Sequence, residues 1–393
     1  MKHCAAAASS PTRRDQAWYF EDPDRSRNMG SFLKNIPLFY LHRYLRIFPL
    51  LAAAILLQAS LPHRIADGPE WDSVAWDTQN CRDNWWLTLL HVQNYFAEGR
   101  TCIGQTWYLA VDMQLYWISP LILVWLCAPR EGNGHRTGWC AVTLGLLTSL
   151  LATSIYCFLN NFPVNSMVRP EDGDWYMDYY YINTLTRAPP FFVGMLYGYA
   201  LHLRRGKTIV LPKVFVTLMW TATTILMGFS VYIHYPTLTV NYDNQLLDNF
   251  INSYMRATWA IALGWMIFAC VHGYGGPINW FLSLQMWKLP ARLSYAMYLL
   301  HFAPMLTMNS MRVSPIYFTE WDTIFRCFGD LVLSFLLAFA LTLAVDSPFS
   351  TLQKLFFERG GNKQQHESAS NKNNVNNVHD TPKREEMEAK TIF

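Results

Sequence analysis

The chain has 393 residues, of which 52% are hydrophobic and only 15% are charged. Soluble domains carry roughly a quarter charged residues, so this balance indicates a membrane protein and argues against an ordinary soluble enzyme. The net charge of +3 is small, and no basic patch is interleaved with aromatic residues, so the composition also argues against a nucleic-acid partner.

Residues 1–30 are predicted to be a polar, disordered lead, because charged residues follow its short alanine run and leave no apolar core for a signal peptide. Beyond them, apolar stretches of about 20 residues, the length that crosses a bilayer as a helix, recur along the chain. We predict about eight such helices, and hence an all-α, polytopic membrane helix bundle over residues 31–357. The predicted spans are 44–61, 106–127, 139–159, 185–203, 211–233, 251–272, 293–312 and 326–346.

The basic residues of the connecting loops predict how these helices are oriented. If Arg43 and Arg46 lie in the cytoplasm and the spans alternate, the cytoplasmic connections hold more Lys and Arg than the exterior ones, which favours this orientation. The cytoplasmic residues are Arg130, Arg136, Arg204, Arg205, Lys207, Lys213, Lys288 and Arg292, and the exterior ones are Arg64, Arg82, Arg100 and Arg169. Residues 358–393 are polar and rich in Asn, and are predicted to be a disordered cytoplasmic tail.

The longest exterior loop, 62–105, has two notable features. The stretch from Trp85 to Phe96 is amphipathic and is predicted to lie along the membrane surface. Cys81 and Cys102 flank this stretch on the oxidising side of the membrane, so we predict that they form a disulfide.

Arg43 and Arg46 lie three residues apart at the start of the first apolar segment and share one face of a helix. Arginines at a cytoplasmic helix end extend to the lipid headgroups and fix the helix orientation, and spacing alone favours this interpretation. Two guanidiniums on one face also bind a single anionic group from two directions, so a binding role stays open.

Four polar residues in later spans form a predicted intramembrane polar network. Asp112 and Gln114 lie in the second span, whereas Arg187 and Arg256 lie near the exterior ends of the fourth and sixth spans. A carboxylate at membrane depth normally faces a partner or a wet cavity. We expect either arginine to pair with Asp112 across the bundle, and a functional role of Asp112 is equally open.

The fourth span also contains residues that shape a helix and its packing. Pro189–Pro190 is predicted to start or kink its helix. Gly194 and Gly198 lie four residues apart, and they are predicted to permit the close approach of a neighbouring helix.

Ser294, Tyr298 and His301 follow one another at helical offsets of four and three, and so form one stripe of the seventh span. We include Ser294 and Tyr298 in the polar network. A histidine with hydroxyl groups on its face is a proton carrier or a hydrogen-bonded core residue, and the stripe alone favours the second interpretation. No metal site is predicted, because the sequence has neither an H-E-x-x-H motif nor paired Cys-x-x-Cys motifs.

Five stretches occur in the same order in one known family. They are FYLHRYLRIFP, GQTWYLAVDMQLYWISP, TRAPPFFVGMLYGYAL, RATWAIALGWMIFACVHGYGGPINWFLS and KLPARLSYAMYLLH. Together they make residues 33–357 resemble the membrane domain of the nose-resistant-to-fluoxetine-like proteins, a subgroup of the acyltransferase 3 superfamily. Any one stretch alone is a weak signal, whereas five in order are a strong one.

The resemblance implies a multi-helix membrane enzyme that transfers an acyl group from a cytoplasmic donor, commonly acyl-CoA, to a lipid or other small acceptor. It also implies that an Arg-x-x-Arg pair near the cytoplasmic face engages the donor. Arg43 and Arg46 match this pair, and guanidiniums suit the phosphates of coenzyme A. The resemblance therefore favours donor binding for these two residues, with no bound cofactor, acyl-CoA as co-substrate and membrane lipid as a partner.

The chain departs from the family pattern at both ends. Family members carry a cysteine-rich exterior domain and further helices, the first with a catalytic histidine, before the Arg-x-x-Arg segment, whereas a short polar lead precedes Ser31 here. We therefore expect the usual catalytic histidine to have no counterpart, which leaves the catalytic residue unknown and His301 as a candidate substitute. The family's Glu-x-Pro after the last helix reads Asp346-Ser347-Pro348, which keeps the carboxylate.

Three functions remain open at this point: acyl transfer, transport or uptake of lipids or hydrophobic drugs, and a catalytically inactive, truncated member of the family. Acyl transfer requires an acyl donor, whereas transport continues without one. We expect a multi-pass protein of the plasma membrane or endoplasmic reticulum, and the acceptor, the acyl chain and the oligomeric state stay open.

Overall fold

The computed structural model describes residues 29–353 and 355, apart from 66, 98, 128–133, 165–172, 208, 240–241 and 315–317. The predicted tail and almost all of the predicted lead lie outside this part; residues 29–30 begin the first helix. The described residues form helices and no strand, which confirms the all-α class.

Ten main helices make up the described part of the chain. They are α1 (Met29–Ser60), α2 (Trp71–Leu89), α3 (Trp107–Cys127), α4 (Gly134–Asn160), α5 (Thr184–Leu203), α6 (Lys213–Tyr232), α7 (Gln245–Val271), α8 (Lys288–Leu300), α9 (Phe302–Ser310) and α10 (Glu320–Leu341). Shorter helices occur at Pro62–Ile65, Gln93–Phe96 and Gly276–Leu282, and a π-helical segment, Thr342–Asp346, extends α10.

Five segments are long and apolar enough to cross a membrane, and they coincide with five of the eight predicted spans. They are Ile36–Ser60, Arg136–Asn160, Lys213–Leu238, Gln245–Val271 and Glu320–Gln353. The other three predicted spans are helical but are not among these five, so a multi-helix membrane bundle is supported and the count of eight stays a prediction. The seventh predicted span is not one helix, because α8 and α9 meet at His301.

Two groups of helices pack on either side of α3. Helices α4, α5, α6 and α7 form one group, in which α5 contacts both α4 and α7. Helices α1, α2, α8 and α10 form the other group, and their buried side chains share one hydrophobic core. Helix α3 contacts α4 and α5 in the first group and α1 in the second, so its side chains lie between the two.

Pro120 shapes the contact between α1 and α3. A proline removes the N–H that would bond to the carbonyl four residues earlier and disturbs the neighbouring bonds of that turn. The hydroxyl of Ser119 donates to the freed carbonyl of Tyr116 at 2.7 Å, and the Tyr40 hydroxyl of α1 donates to the carbonyl of Trp117 at 2.7 Å. The proline therefore creates an attachment point for α1.

The same effect occurs twice in α5, where Pro189–Pro190 lies inside the helix and does not start it. The pair frees the carbonyls of Leu185 and Thr186. The Thr153 hydroxyl donates to the first at 3.1 Å, and an Arg256 N–H donates to the second at 3.3 Å. Side chains from α4 and α7 thus satisfy the backbone that the two prolines leave open.

The predicted close approach at Gly194 and Gly198 is wrong, because a Cβ at either position would meet no described atom within 4 Å. The glycine that matters is Gly264 on α7. A Cβ there would lie 2.1 Å from the ring of Tyr197 on α5. The aromatic ring of one helix therefore requires the glycine on the other.

The segment 62–105, predicted to be an exterior loop, folds back along α1. Arg82 of α2 donates to the carbonyl of Ala59 at 2.9 Å, and Tyr44, four turns earlier in α1, donates to the carbonyl of Leu89 at 3.4 Å. The predicted amphipathic stretch from Trp85 to Phe96 is not one surface helix, because α2 ends at Leu89 and a turn at His91, with φ of 57°, separates it from Gln93–Phe96.

The structure also joins the two cysteines of this loop. A disulfide links Cys81, near the middle of α2, to Cys102, which precedes α3. Both residues are buried in the core shared with α1 and α8. The bridge therefore fastens the returning end of the loop to α2.

Candidate functional site

Arg43 lies at the contact between α1 and α3. Its Nη2 forms an ion pair with the Asp112 carboxylate, and its guanidinium lies 4.1 Å above the centre of the Tyr116 ring. Asp112 and Tyr116 are one helical turn apart, so α3 presents both groups on one face. The side chains of Arg43 and Asp112 keep 28% and 34% of their surface exposed, which leaves the pair accessible to a ligand.

The expected pairing of Asp112 with Arg187 or Arg256 is therefore wrong. The reason is the helix packing: α3 presents Asp112 to α1, whereas Arg187 and Arg256 face aromatic side chains at the first residue of α3 and on the segment before α5.

A different carboxylate lies within electrostatic reach of Arg46. The segment Thr342–Asp346 packs against α1, and the charge of Arg46 acts on the Asp346 side chain. One turn of α1 therefore presents two arginines, each beside an acid from a different helix. Such an arrangement offsets the cost of placing the guanidiniums at an apolar interface.

Two tyrosines of α8 lie beside the same groups. Tyr295 donates to the carbonyl of Ile47 at 3.1 Å, and the charge of Asp346 acts on its phenol. Tyr298 donates to the carbonyl of Gln105, and the charge of Asp112 acts on it. We call this set the two-arginine cluster; it comprises Arg43, Arg46, Asp112, Asp346, Tyr295 and Tyr298.

Gln114 has a fastening role instead. Its amide donates to the carbonyl of His91 and to the side chain of Asn94, both at 2.8 Å, while the Thr184 hydroxyl donates to its oxygen. These bonds tie the segment 62–105 to the start of α5 through α3. Gln114 thus belongs to a polar network, as predicted, and this network holds neighbouring segments of the fold together.

His91 was not predicted as a site residue. Only 1% of its surface is exposed, and its ring lies 6.1 Å from that of Tyr44. Its Nδ1 has no hydrogen-bond partner among the described residues. Burial, together with the smaller effect of the nearby positive charge of Arg43, lowers the pKa of His91 to about 4. The imidazole is therefore neutral at physiological pH.

Arg187 and Arg256 are held by aromatic rings. The Arg187 guanidinium lies 4.7 Å from the ring centre of Trp107 and 4.6 Å from that of Tyr181. The Arg256 guanidinium lies 4.4 Å from the ring centre of Tyr180. Among the described residues, neither arginine forms an ion pair with a carboxylate.

The predicted stripe of α8 divides between two roles. Ser294 is exposed and donates to Ala291 of its own helix at 3.0 Å, whereas Tyr298 belongs to the two-arginine cluster. His301 lies at the junction of α8 and α9, with Nδ1 at 2.9 Å from the carbonyl of Tyr298. Because a carbonyl only accepts, Nδ1 carries the proton and Nε2 is the basic nitrogen.

Sequence reasoning identified both arginines and Asp112 but assembled them differently. Tyr116 had a usable signal, since it follows Asp112 by one turn of the same helix. The retained carboxylate of Asp346 was visible in the motif after the last span, but its neighbour Arg46 lies 300 residues earlier. Nothing in the sequence indicated the burial of His91.

Comparisons with known proteins agree with the fold. A family model described as an acyltransferase domain matches residues 29–345. The chain is 27% identical to Nose resistant to fluoxetine protein 6 of Caenorhabditis elegans, over 86% of this chain and 42% of that protein. It is 24% identical to Regulator of hypoxia-inducible factor 1 of the same organism, over 70% of this chain and 56% of that protein.

The chain thus spans about half the length of the curated relatives that it matches. No solved structure matches it. The family model nevertheless covers most of the chain and contains every residue of the two-arginine cluster except Asp346, which follows its last matched residue directly. The chain belongs to the acyltransferase 3 family.

Proposed function

We propose that this protein is a membrane acyltransferase that takes its acyl group from acyl-CoA, with Arg43 and Arg46 binding the phosphates of the donor on the cytoplasmic side. The observation that carries this proposal is the two-arginine cluster. Its two guanidiniums come from one turn of α1 and each already has an acidic neighbour. Family membership supports the reaction class.

The cluster suits a phosphate ligand for electrostatic reasons. A guanidinium has five N–H donors, and Arg43 uses only Nη2 in its bond to Asp112. The carboxylates stabilise the arginines while no donor is bound, and their geometry holds the remaining N–H groups in place. Arginine binds phosphate through two parallel hydrogen bonds, which makes it more selective than lysine at such a site.

The transfer itself requires a proton acceptor. In the proposed reaction, the oxygen of an acceptor hydroxyl attacks the thioester carbonyl, an O–C bond forms and the C–S bond breaks. The hydroxyl proton passes to His301 Nε2 and then to the departing thiolate of coenzyme A. The hydrogen bond from Nδ1 to the Tyr298 carbonyl supports this role, because it leaves Nε2 as the basic nitrogen.

Transfer is tested in proteoliposomes that contain the purified full-length chain, membrane lipids and an acyl-CoA labelled in the acyl group. The expected result is label in a lipid or small-molecule ester. We expect the Arg43→Gln/Arg46→Gln variant to require more donor for the same rate, and His301→Ala to reduce the rate while donor binding stays unchanged.

The alternative function gives a different result in the same vesicles. Movement of a labelled lipid or hydrophobic drug across the bilayer in the absence of acyl-CoA, without any labelled ester in its presence, would support transport and overturn the proposal. If neither a labelled ester nor movement of the labelled compound is detected, the protein is a catalytically inactive member of the family, and the proposal is also overturned.

A further inference from the structure

Arg187 and Arg256 differ from the two arginines of the proposed donor site. Arg43 and Arg46 each have an acidic neighbour, whereas the charged or ionisable groups that act on Arg187 are Arg256 and three tyrosines. The three tyrosines are Tyr176, Tyr180 and Tyr181. Two positive charges therefore lie close together in a partly buried place, and among the described residues neither forms an ion pair with a carboxylate.

Among the described residues, each of the two guanidiniums makes one hydrogen bond. Arg187 Nε donates to the carbonyl of Tyr181 at 2.9 Å, and Arg256 Nη1 donates to the carbonyl of Thr186 at 3.3 Å. Each guanidinium has five N–H donors. Arg187 Nη2 is buried and has no hydrogen-bond partner in the part of the chain that the structure describes, and leaving such a donor unpaired is unfavourable.

Aromatic rings fix the direction of both guanidiniums. Trp107 and Tyr181 lie against Arg187, and Tyr180 lies against Arg256, which stabilises the cations by stacking but leaves the edges of the planes for hydrogen bonds. Tyr180 is itself held, because its hydroxyl donates to the carbonyl of Asn252 at 2.8 Å. The arginines are therefore preorganised before any ligand arrives.

We propose that Arg187 and Arg256 form a second anion site, separate from the donor site, which binds the oxyanion head of an amphiphile. A carboxylate or a phosphate matches the planar guanidinium edges and supplies the missing negative charge. Exposed apolar side chains follow a residue that is bonded to the start of α5: Tyr95 and Phe96 come after Asn94, whose amide donates to the Thr184 hydroxyl. An apolar chain attached to the oxyanion has a surface on which to lie.

Two sources share this chemistry, and paired probes separate them. Binding of labelled oleate and of phosphatidic acid to the detergent-purified full-length chain is compared with binding of methyl oleate and diacylglycerol, which have the same apolar chains but no charge. Preference for oleate alone identifies a fatty-acid carboxylate, and preference for phosphatidic acid identifies a lipid phosphate. Inorganic phosphate serves as the probe without a chain.

The variants test the two arginines directly. Because a charge-assisted hydrogen bond changes affinity about tenfold, Arg187→Gln and Arg256→Gln are each expected to raise the Kd of the preferred anionic probe about tenfold. Arg82→Gln is the matched control, since exposed Arg82 makes one bond to a backbone carbonyl, as Arg256 does. Its Kd is expected to change less than twofold. The Lys variants of both residues keep the charge and are expected to retain part of the affinity.

Several outcomes would overturn the site. One is equal binding of charged and uncharged probes by the unmodified protein, a measurement that needs no variant to fold. Another is an anionic preference that survives in the Gln variants. Displacement of the lipid probes by inorganic phosphate at the same concentration would show that no amphiphile is required. None of these results bears on the acyl donor, so this site and the proposed function succeed or fail separately.

Discussion

The ion pair between Arg43 and Asp112 yields the most detailed prediction. Removing one partner of a fully buried ion pair costs about 3–5 kcal/mol, because the other charge is left uncompensated. Here roughly a third of each side chain is exposed, so we expect a smaller loss, about 1–3 kcal/mol, for Arg43→Ala. Loss of the contact with the Tyr116 ring is part of this value, at about 1 kcal/mol.

A double-mutant cycle separates the free energy of the ion pair between Arg43 and Asp112 from the other effects of each substitution. Asp112→Ala removes the carboxylate but keeps the ring contact, and the double variant removes both charges together. We expect the losses in the free energy of unfolding of the two single variants to sum to more than the loss in the double variant, with a coupling free energy of about 1–2 kcal/mol. The assay is reversible unfolding of the purified protein in mixed micelles of increasing denaturing detergent, followed by circular dichroism.

An exposed arginine of the same chain serves as the control for Arg43→Ala. Arg204→Ala removes an exposed arginine from a connecting loop, and it should change the free energy of unfolding by less than about 0.5 kcal/mol. A coupling below about 0.3 kcal/mol between Arg43 and Asp112 would mean that the two charges do not stabilise each other. The proposal that Asp112 holds Arg43 in place for the donor would then be wrong.

The segment 62–105 and the packing of α5 against α7 give three further predictions. Below pH 6.5 the His91 imidazole takes up a proton in the unfolded chain, whereas in the folded chain it does so only near pH 4. The contribution of His91 to the free energy of unfolding is therefore fully present above pH 6.5, and it falls by up to about 3 kcal/mol as the pH drops to 4. Unfolding curves of the His91→Gln variant should show a smaller loss over this pH range. Gly264→Ala should lower the melting temperature by several degrees because its new methyl group meets an aromatic ring, whereas Gly194→Ala should leave it within about one degree. Cys81 and Cys102 should react with a maleimide only after reduction, and labelling of both in the non-reduced protein, measured by mass spectrometry, would exclude the bridge.

The sequence was most informative where a pattern is local. Apolar runs located the helices because a membrane span needs a continuous length of about 20 residues, and the Arg-x-x-Arg spacing placed Arg43 and Arg46 on one face. Partners across helices were less predictable. Asp112 was expected to meet an arginine at the exterior ends of other spans, but the packing of α3 against α1 brings it to Arg43.

The glycines show the same limit. A spacing of four residues marks a smooth face on α5, but only the neighbouring helix decides whether that face is used. The structure uses Gly264 of α7 to admit Tyr197 of α5 and leaves Gly194 and Gly198 open. The role of the two prolines was predictable only in part. The disturbed backbone follows from the residue type, whereas the side chains that donate to the freed carbonyls come from α4 and α7 and could not be predicted.

Donor binding tests the central claim most directly. The Kd of a long-chain acyl-CoA is compared with that of the matching acyl-pantetheine, which has the same thioester but lacks the phosphates that Arg43 and Arg46 are proposed to bind. We expect the unmodified protein to prefer acyl-CoA by about a hundredfold, taking about tenfold for each arginine, and Arg43→Gln/Arg46→Gln to bind both compounds alike. Arg204→Gln/Lys207→Gln, with the same loss of charge, should keep the preference. An unchanged preference in the Arg43→Gln/Arg46→Gln variant would contradict the assignment of these arginines to the donor.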